Sequence, residues 1–146
     1  AKHTRADEPT NWIVLDVDGL PYSPEEFMAI MGLSNTSYIV QYSASSGISH
    51  VDDITTSLPN MNRFHIFVML AKPQRPSQLK EWLKHKNLTV PRISSHLTLN
   101  ATNMGLSWPL DITVCQNDKL IYIAPPICGE GVVDLLPNRI STGVGK

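Results

Sequence analysis

Residues 12–17, WIVLDV, are almost continuously apolar and rich in β-formers, the pattern of a buried strand. Asp18-Gly19 closes it with a turn signal. The period then changes. Ser23 stands as a helix N-cap, Pro24 fits the first helical position and Glu26 completes a capping box. Phe27, Ile30 and Met31 share one helical face, and Gly32 predicts the stop. Residues 36–43 (TSYIVQYS) read as a second strand, followed by serines, Gly47 and a polar loop that contains Pro59. Residues 63–70 (RFHIFVML) read as a third strand, which Pro73 and Pro76 are expected to end. Residues 77–86 predict a helix with Leu79, Trp82 and Leu83 inward and Lys80 and Lys84 outward. Residues 110–114 and 120–123 (LIYI) predict two more strands around a turn at Asn117-Asp118. The Pro- and Gly-rich tail is expected to wrap the surface.

The predicted order is β-α-β-β-α-β with a further strand. That is the split βαβ arrangement of ferredoxin-like and RNA-recognition (RRM-like) folds. The expectation is an α+β domain spanning residues 1–146, with a central mixed or antiparallel sheet flanked by helices. A chain of 146 residues is long enough for one such core.

Composition narrows the class. A hydrophobic fraction of 42% with 17% charged residues suits a folded domain. No apolar run approaches the length of a membrane span, so no membrane association is expected. The start, AKHTRADEPT, lacks both Met and the pattern of a signal peptide, and suggests a piece of a longer chain. Cys115 and Cys128 sit in unlike contexts and read as plain thiols of a reducing, cytoplasmic compartment.

A net charge of −1 argues against a dedicated DNA-binding module. The charges are unevenly spread, however. Lys72, Arg75, Lys80, Lys84, Lys86 and Arg92 crowd one segment, where Glu81 is the lone acid, while most acids lie in the first third. Such a split fits a metal-binding face and a separate phosphate-contacting face, with Lys80 and Lys84 as candidates to guide a nucleic acid. A solvated helix surface is the plainer account.

Candidate chemistry begins with Asp16 and Asp18. Residues two apart on a strand face the same way, and two such carboxylates repel unless a cation lies between them. Oxygen ligands of this kind suit Mg2+ or Mn2+. The competing account has Asp16 in a core hydrogen bond and Asp18 starting a turn. Asp111, at the head of a later strand, would complete a carboxylate cluster if that strand lies beside the first. Its competing account is an acid facing solvent. His65 shares a strand face with Arg63 and Phe67, and a His with an Arg is costly to bury without partners. Contact with a triphosphate or sugar is one role for the pair, and a satisfied core histidine is the other. Ser43, Ser45 and Ser46 with Gly47 form a small-residue loop that allows close approach to phosphate. His50, Asp52 and Asp53 offer a second set of ligands but read as loop, and His85 and His96 have no partner at ligand spacing.

Taken in order, VLDVDG (Asp16, Asp18), RFH (His65) and LD (Asp111) resemble the three motifs of the archaeo-eukaryotic primase superfamily, in particular the primase-polymerases of phages and plasmids. The flanking YSASSG, DITV and KLIYIAPP are similar to the regions around those motifs, so the resemblance runs from about Trp12 to Pro126. Arg63 stands where the family usually carries a small residue, and can itself meet a phosphate. The resemblance implies an RRM-like catalytic core and a metal-dependent nucleotidyltransferase, a DNA primase-polymerase acting in phage or plasmid replication. It implies Asp16, Asp18 and Asp111 on Mg2+ or Mn2+, with His65, Arg63, Ser43, Ser45 and Ser46 toward a nucleoside triphosphate. It further implies a single-stranded DNA template and primer, a neighbouring helicase domain or protein, and the cytoplasm of a bacterium or phage-infected host. Lys2, His3 and Arg5 could touch template or nucleotide, though a frayed terminus is the better account of them.

Two other readings compete. VLDVDGL also fits the opening of a haloacid dehalogenase-like phosphatase, with Asp16 as nucleophile, but Leu20 stands where Thr or Val is usual. Asp52-Asp53 come too early for that family's later acid pair, and the alternating βα units are missing. A non-catalytic RRM-like nucleic-acid-binding module would present stacking aromatics on a face that here carries acids. A His-x-His nuclease is excluded because no such pair occurs.

Overall fold

Alternation along the first strand, β1 (Thr10–Asp18), divides its side chains between two environments. Ile13, Leu15 and Val17 enter the main apolar core, whereas Asp16 and Asp18 face the other way. The computed structural model describes residues 7–53, 61, 63–102, 104–117, 119–136 and 138–145. Lys2, His3 and Arg5 of the terminus, Pro59 of the polar loop and Asp118 of the expected turn lie outside the described residues.

Helix α1 (Pro24–Ile30) follows, and its capping box forms as the sequence predicts. The Glu26 amide donates to Ser23 Oγ at 3.1 Å, and the Ser23 amide donates to the Glu26 carboxylate at 3.5 Å. The chain continues through β2 (Tyr38–Tyr42), β3 (Ile48–His50), a short 3-10 turn, and the long β4 (Arg63–Gln74). Next come α2 (Pro76–Thr89), α3 (Pro91–Ser94), and the short strands β5 (Thr98–Leu99), β6 (Leu106–Ser107), β7 (Val132–Asp134) and β8 (Ile140–Gly143).

The central sheet has the order β1-β4-β2-β8, and each of its ladders is antiparallel. β1 and β2 therefore run parallel to each other with β4 between them, and α1 lies on the crossover. A bridge from Val17 to Leu110 adds one backbone segment outside β1. The protein is thus α+β, with a mostly antiparallel sheet and few helices. Residues of all three helices (Phe27 and Met28; Leu79 and Leu83; Ile93) join one core with Leu15, Val40, Phe64 and Ile66 of the strands. Fully burying a Phe or Leu side chain stabilises by about 1.5–3 kcal/mol. The helices thereby cover one face of the sheet; on the other, Asp16, Asp18, Arg63, His65 and Gln41 gather at one end and Trp12, Ile39, Phe67 and Met69 at the opposite end.

Several boundaries differ from expectation. Residues 110–114 form no strand beyond the Leu110 bridge. The cause is local: Asp111 Oδ1 accepts from both the amide and the hydroxyl of Thr113, a turn that draws the chain away from β1. Residues 120–123 form no ladder either; Leu120 and Tyr122 are exposed, so no apolar face fixes a pairing. β4 continues past Leu70 to Gln74, and its register with β1 shifts between Thr10 and Trp12. Pro73 falls in that irregular stretch, where a residue without an N–H is tolerated. Pro76 opens α2 rather than merely ending the strand. Asp7 caps this helix from a distance, accepting from the amide and hydroxyl of Ser77 at 2.9 and 3.0 Å. The amide bond is the main reason its carboxyl lies below the usual carboxylate range. The tail contributes β8, which covers the outer edge of β2.

No described helix is long and apolar enough to cross a membrane. Cys115 and Cys128 are both free; burial pushes the Cys115 thiol up, which makes it a poor nucleophile at neutral pH.

Candidate functional site

Three adjacent strands contribute to one polar row on the open face. Asp16 of β1 lies opposite His65 of β4, which lies opposite Gln41 of β2. Gln41 and His65 are only 3% and 9% exposed, and both are satisfied. His65 Nδ1 lies 2.8 Å from Gln41 Oε1, and its Nε2 lies 3.5 Å from Asp16 Oδ2. Gln41 Nε2 donates to the Tyr42 carbonyl at 2.7 Å, which sets the direction of the amide.

One row further along, Asp18 pairs with Arg63, Nε to Oδ1 at 2.8 Å. Both side chains are more than half exposed, so solvent screens this pair.

The serine loop after β2 is tied to the same strand. The Ser43 amide and the Ser46 hydroxyl both donate to the Arg63 carbonyl, at 3.1 and 2.7 Å. Ser43 and Ser45 share a hydroxyl contact of 3.0 Å. Gly47 adopts a φ of 70°, and a Cβ there would sit 2.5 Å from Leu136 Cγ, so only glycine fits. Arg139 braces the loop from below: its guanidinium donates to the carbonyls of Ser43 and Ser46 and to Asp134 at 2.6, 2.8 and 2.7 Å. Arg139, with the Leu136 amide second, holds the Asp134 carboxyl below the usual range.

Asp111 arrives from the edge of the sheet. Its amide donates to the Asp16 carbonyl at 2.9 Å, and the Asp18 amide donates to the Pro109 carbonyl at 2.9 Å. Fully buried Asn87 of α2 holds the intervening Leu110 at both ends. Its Nδ2 donates to the Leu110 carbonyl at 2.8 Å, and its Oδ1 accepts from the Leu110 amide at 3.2 Å. Lys119 donates to Thr113 Oγ1 at 3.0 Å, one bond behind Asp111.

These segments surround a single cleft of about 540 Å³. It is lined by Asp16, Asp18, Asp111, His65, Arg63, Ser43 and Ser45, together with Lys119 and the extended run from Leu120 to Tyr122. Comparison with protein-family models, curated proteins and solved structures gives no match.

Not every candidate reaches it. Ser46 is buried, with its hydroxyl spent on the strand, so it supports the loop rather than the cleft. Lys80 and Lys84 lie on α2 and do not line the cleft, and Lys84 pairs with Glu81 at 3.4 Å. His50 and Asp52 lie at and beyond β3, also outside the cleft lining.

The donor set fits a hard dication, because three carboxylates offer oxygen ligands alone. As the side chains stand, no three acid, His or Cys groups among the described residues converge to hold an ion. Arg63 holds one oxygen of Asp18 and Thr113 one oxygen of Asp111, so a bound ion would compete with both partners.

Sequence reasoning missed Gln41, Asn87, Arg139 and Lys119. Gln41 carried a signal, a single polar side chain in the apolar strand YIVQY. Asn87 carried a weaker one, an amide on the inward face of a helix.

Proposed function

We propose that the chain is the catalytic core of a metal-dependent nucleotidyltransferase of the primase-polymerase type, extending a strand on a single-stranded DNA template. One observation carries this reading: Asp16, Asp18, Asp111, His65, Arg63, Ser43 and Ser45 line one cleft although they come from four separate segments. The strand order supports an RRM-like, split βαβ core, with Leu110 outside β1 and β4 between β1 and β2.

In this reading Asp16, Asp18 and Asp111 hold Mg2+ or Mn2+, which when bound supplies charge neutralisation for in-line displacement at phosphorus. The protein's own groups do the rest. Arg63 and Lys119 offer cations to the triphosphate. His65 holds a group of the incoming nucleotide next to Asp16. Ser43 and Ser45 present hydroxyls where backbone and phosphate can approach closely. Lys80 and Lys84, remote from the cleft, retain at most a template-guiding role. The expected setting is phage or plasmid replication in a bacterial or infected-host cytoplasm, with a helicase as partner.

The phosphatase alternative calls for alternating βα units around a parallel sheet, whereas each strand pairing among the described residues is antiparallel. A non-catalytic binding module keeps one observation in its favour: Trp12 and Phe67 lie on the same open face, and Trp12 is 45% exposed. The deciding experiment is primer extension and de novo priming on a single-stranded template with Mg2+ or Mn2+. Product that falls by about a thousand-fold or more in Asp111→Asn supports the transferase, in keeping with the several kcal/mol a metal supplies. Absence of both product and nucleotide binding overturns it.

A further inference from the structure

Gln41 touches His65 on the side away from the cleft, and its amide cannot turn freely. Nε2 of Gln41 donates to the Tyr42 carbonyl at 2.7 Å, so Oε1 is the atom directed at His65 Nδ1, 2.8 Å away. A carboxamide oxygen only accepts, so Nδ1 must carry the proton. In the neutral ring Nε2 is then the bare nitrogen, and it is this nitrogen that faces Asp16 and the cleft.

We propose that Gln41 is a positioning residue that fixes His65 in the Nδ1–H tautomer, so that Nε2 is offered to the cleft as an acceptor for a ligand hydroxyl. A bare ring nitrogen only accepts, so Nε2 favours a ligand group that brings a proton. A sugar hydroxyl does so and a bare phosphate oxygen does not. The burial of Gln41 and His65 makes the arrangement costly to undo, because an orphaned buried polar atom loses its solvation without return. The hydroxyl assignment rests on the nucleotide reading of the cleft; the tautomer assignment does not.

The test begins with the side-chain nitrogens of His65, observed by 15N NMR through a rising pH series until the ring carries a single proton. The expected spectrum has the proton on Nδ1 in the wild type and in Gln41→Glu, which keeps an acceptor. In Gln41→Met the proton should move toward Nε2, which an unconstrained imidazole favours. A wild-type ring protonated on Nε2, or a Gln41→Met ring still protonated on Nδ1, overturns the proposal. Calorimetry with ATP, dATP and ddATP tests the hydroxyl. Wild type should lose about three- to ten-fold in affinity at one of the two deletions, the worth of one ordinary hydrogen bond, and Gln41→Met should not discriminate. Equal wild-type affinity for all three overturns the hydroxyl assignment. If none of the three binds, the nucleotide reading falls, while the ring spectra still decide the role of Gln41.

Discussion

The backbone amide of Asp111 donates to the carbonyl of Asp16 at 2.9 Å. Two acids far apart in the chain are thereby set on neighbouring backbone segments. Asp111→Asn keeps the Oδ1 that accepts from Thr113 but removes the charge. The fold should be retained, with a melting temperature close to wild type, while Mn2+ affinity falls at least about ten-fold, the equivalent of 1.4 kcal/mol. Calorimetric titration with Mn2+ measures it, and unchanged affinity would remove Asp111 from the ligand set.

Arg63 Nε holds Asp18 Oδ1 at 2.8 Å. Arg63→Ala should therefore tighten Mn2+ binding, because a competitor for the carboxylate is gone, and should weaken triphosphate binding, because a cation is gone. The stability change should stay under about 1 kcal/mol for so exposed a pair. Opposite signs for metal and triphosphate are the signature to seek; a loss of both would mean that Arg63 acts through structure.

Asn87 is the hinge pin between α2 and the segment that carries Asp111. Asn87→Leu leaves both the N–H and the C=O of Leu110 unmet. Each buried unsatisfied group costs about 1–3 kcal/mol. Urea denaturation should report a loss of that order, with Mn2+ affinity falling although every carboxylate is still present.

The Arg139–Asp134 pair predicts acid sensitivity of the serine loop. The Asp134 carboxyl lies below its ordinary value, chiefly through its bond to Arg139. Its contribution is therefore complete above the unfolded value of about 3.9 and is lost as pH falls through the lower folded value. Amide exchange at Ser46 and Gly47 should accelerate below about pH 4. Asp134→Asn should flatten that dependence at the cost of a looser loop at neutral pH. Arg139→Ala should loosen the loop at every pH, since the carbonyls of Ser43 and Ser46 also lose their donor.

Local signals located β1, β2, β4, α1 and α2, because burial of one face imposes a period on each. The same alternation placed Asp16 with Asp18, and His65 with Arg63, on common faces. It did not locate the end of the segment after Leu110. There a side chain, Asp111, competes with the ladder for the backbone, and periodicity is blind to that competition. Arg139 was illegible for another reason: its partners, Ser43 and Ser46, are distant in sequence and meet it only once β8 pairs with β2.

The row formed by Asp16, His65 and Gln41 also polices the assembly of the sheet. If β4 slipped by one residue against its neighbours, Arg63 and His65 would enter the oily layer and Phe64 and Ile66 would meet water. A chain with the wrong pairing would thus forfeit its core and its cleft together. The polar row acts as a proofreading mark, written partly in residues that line the cleft.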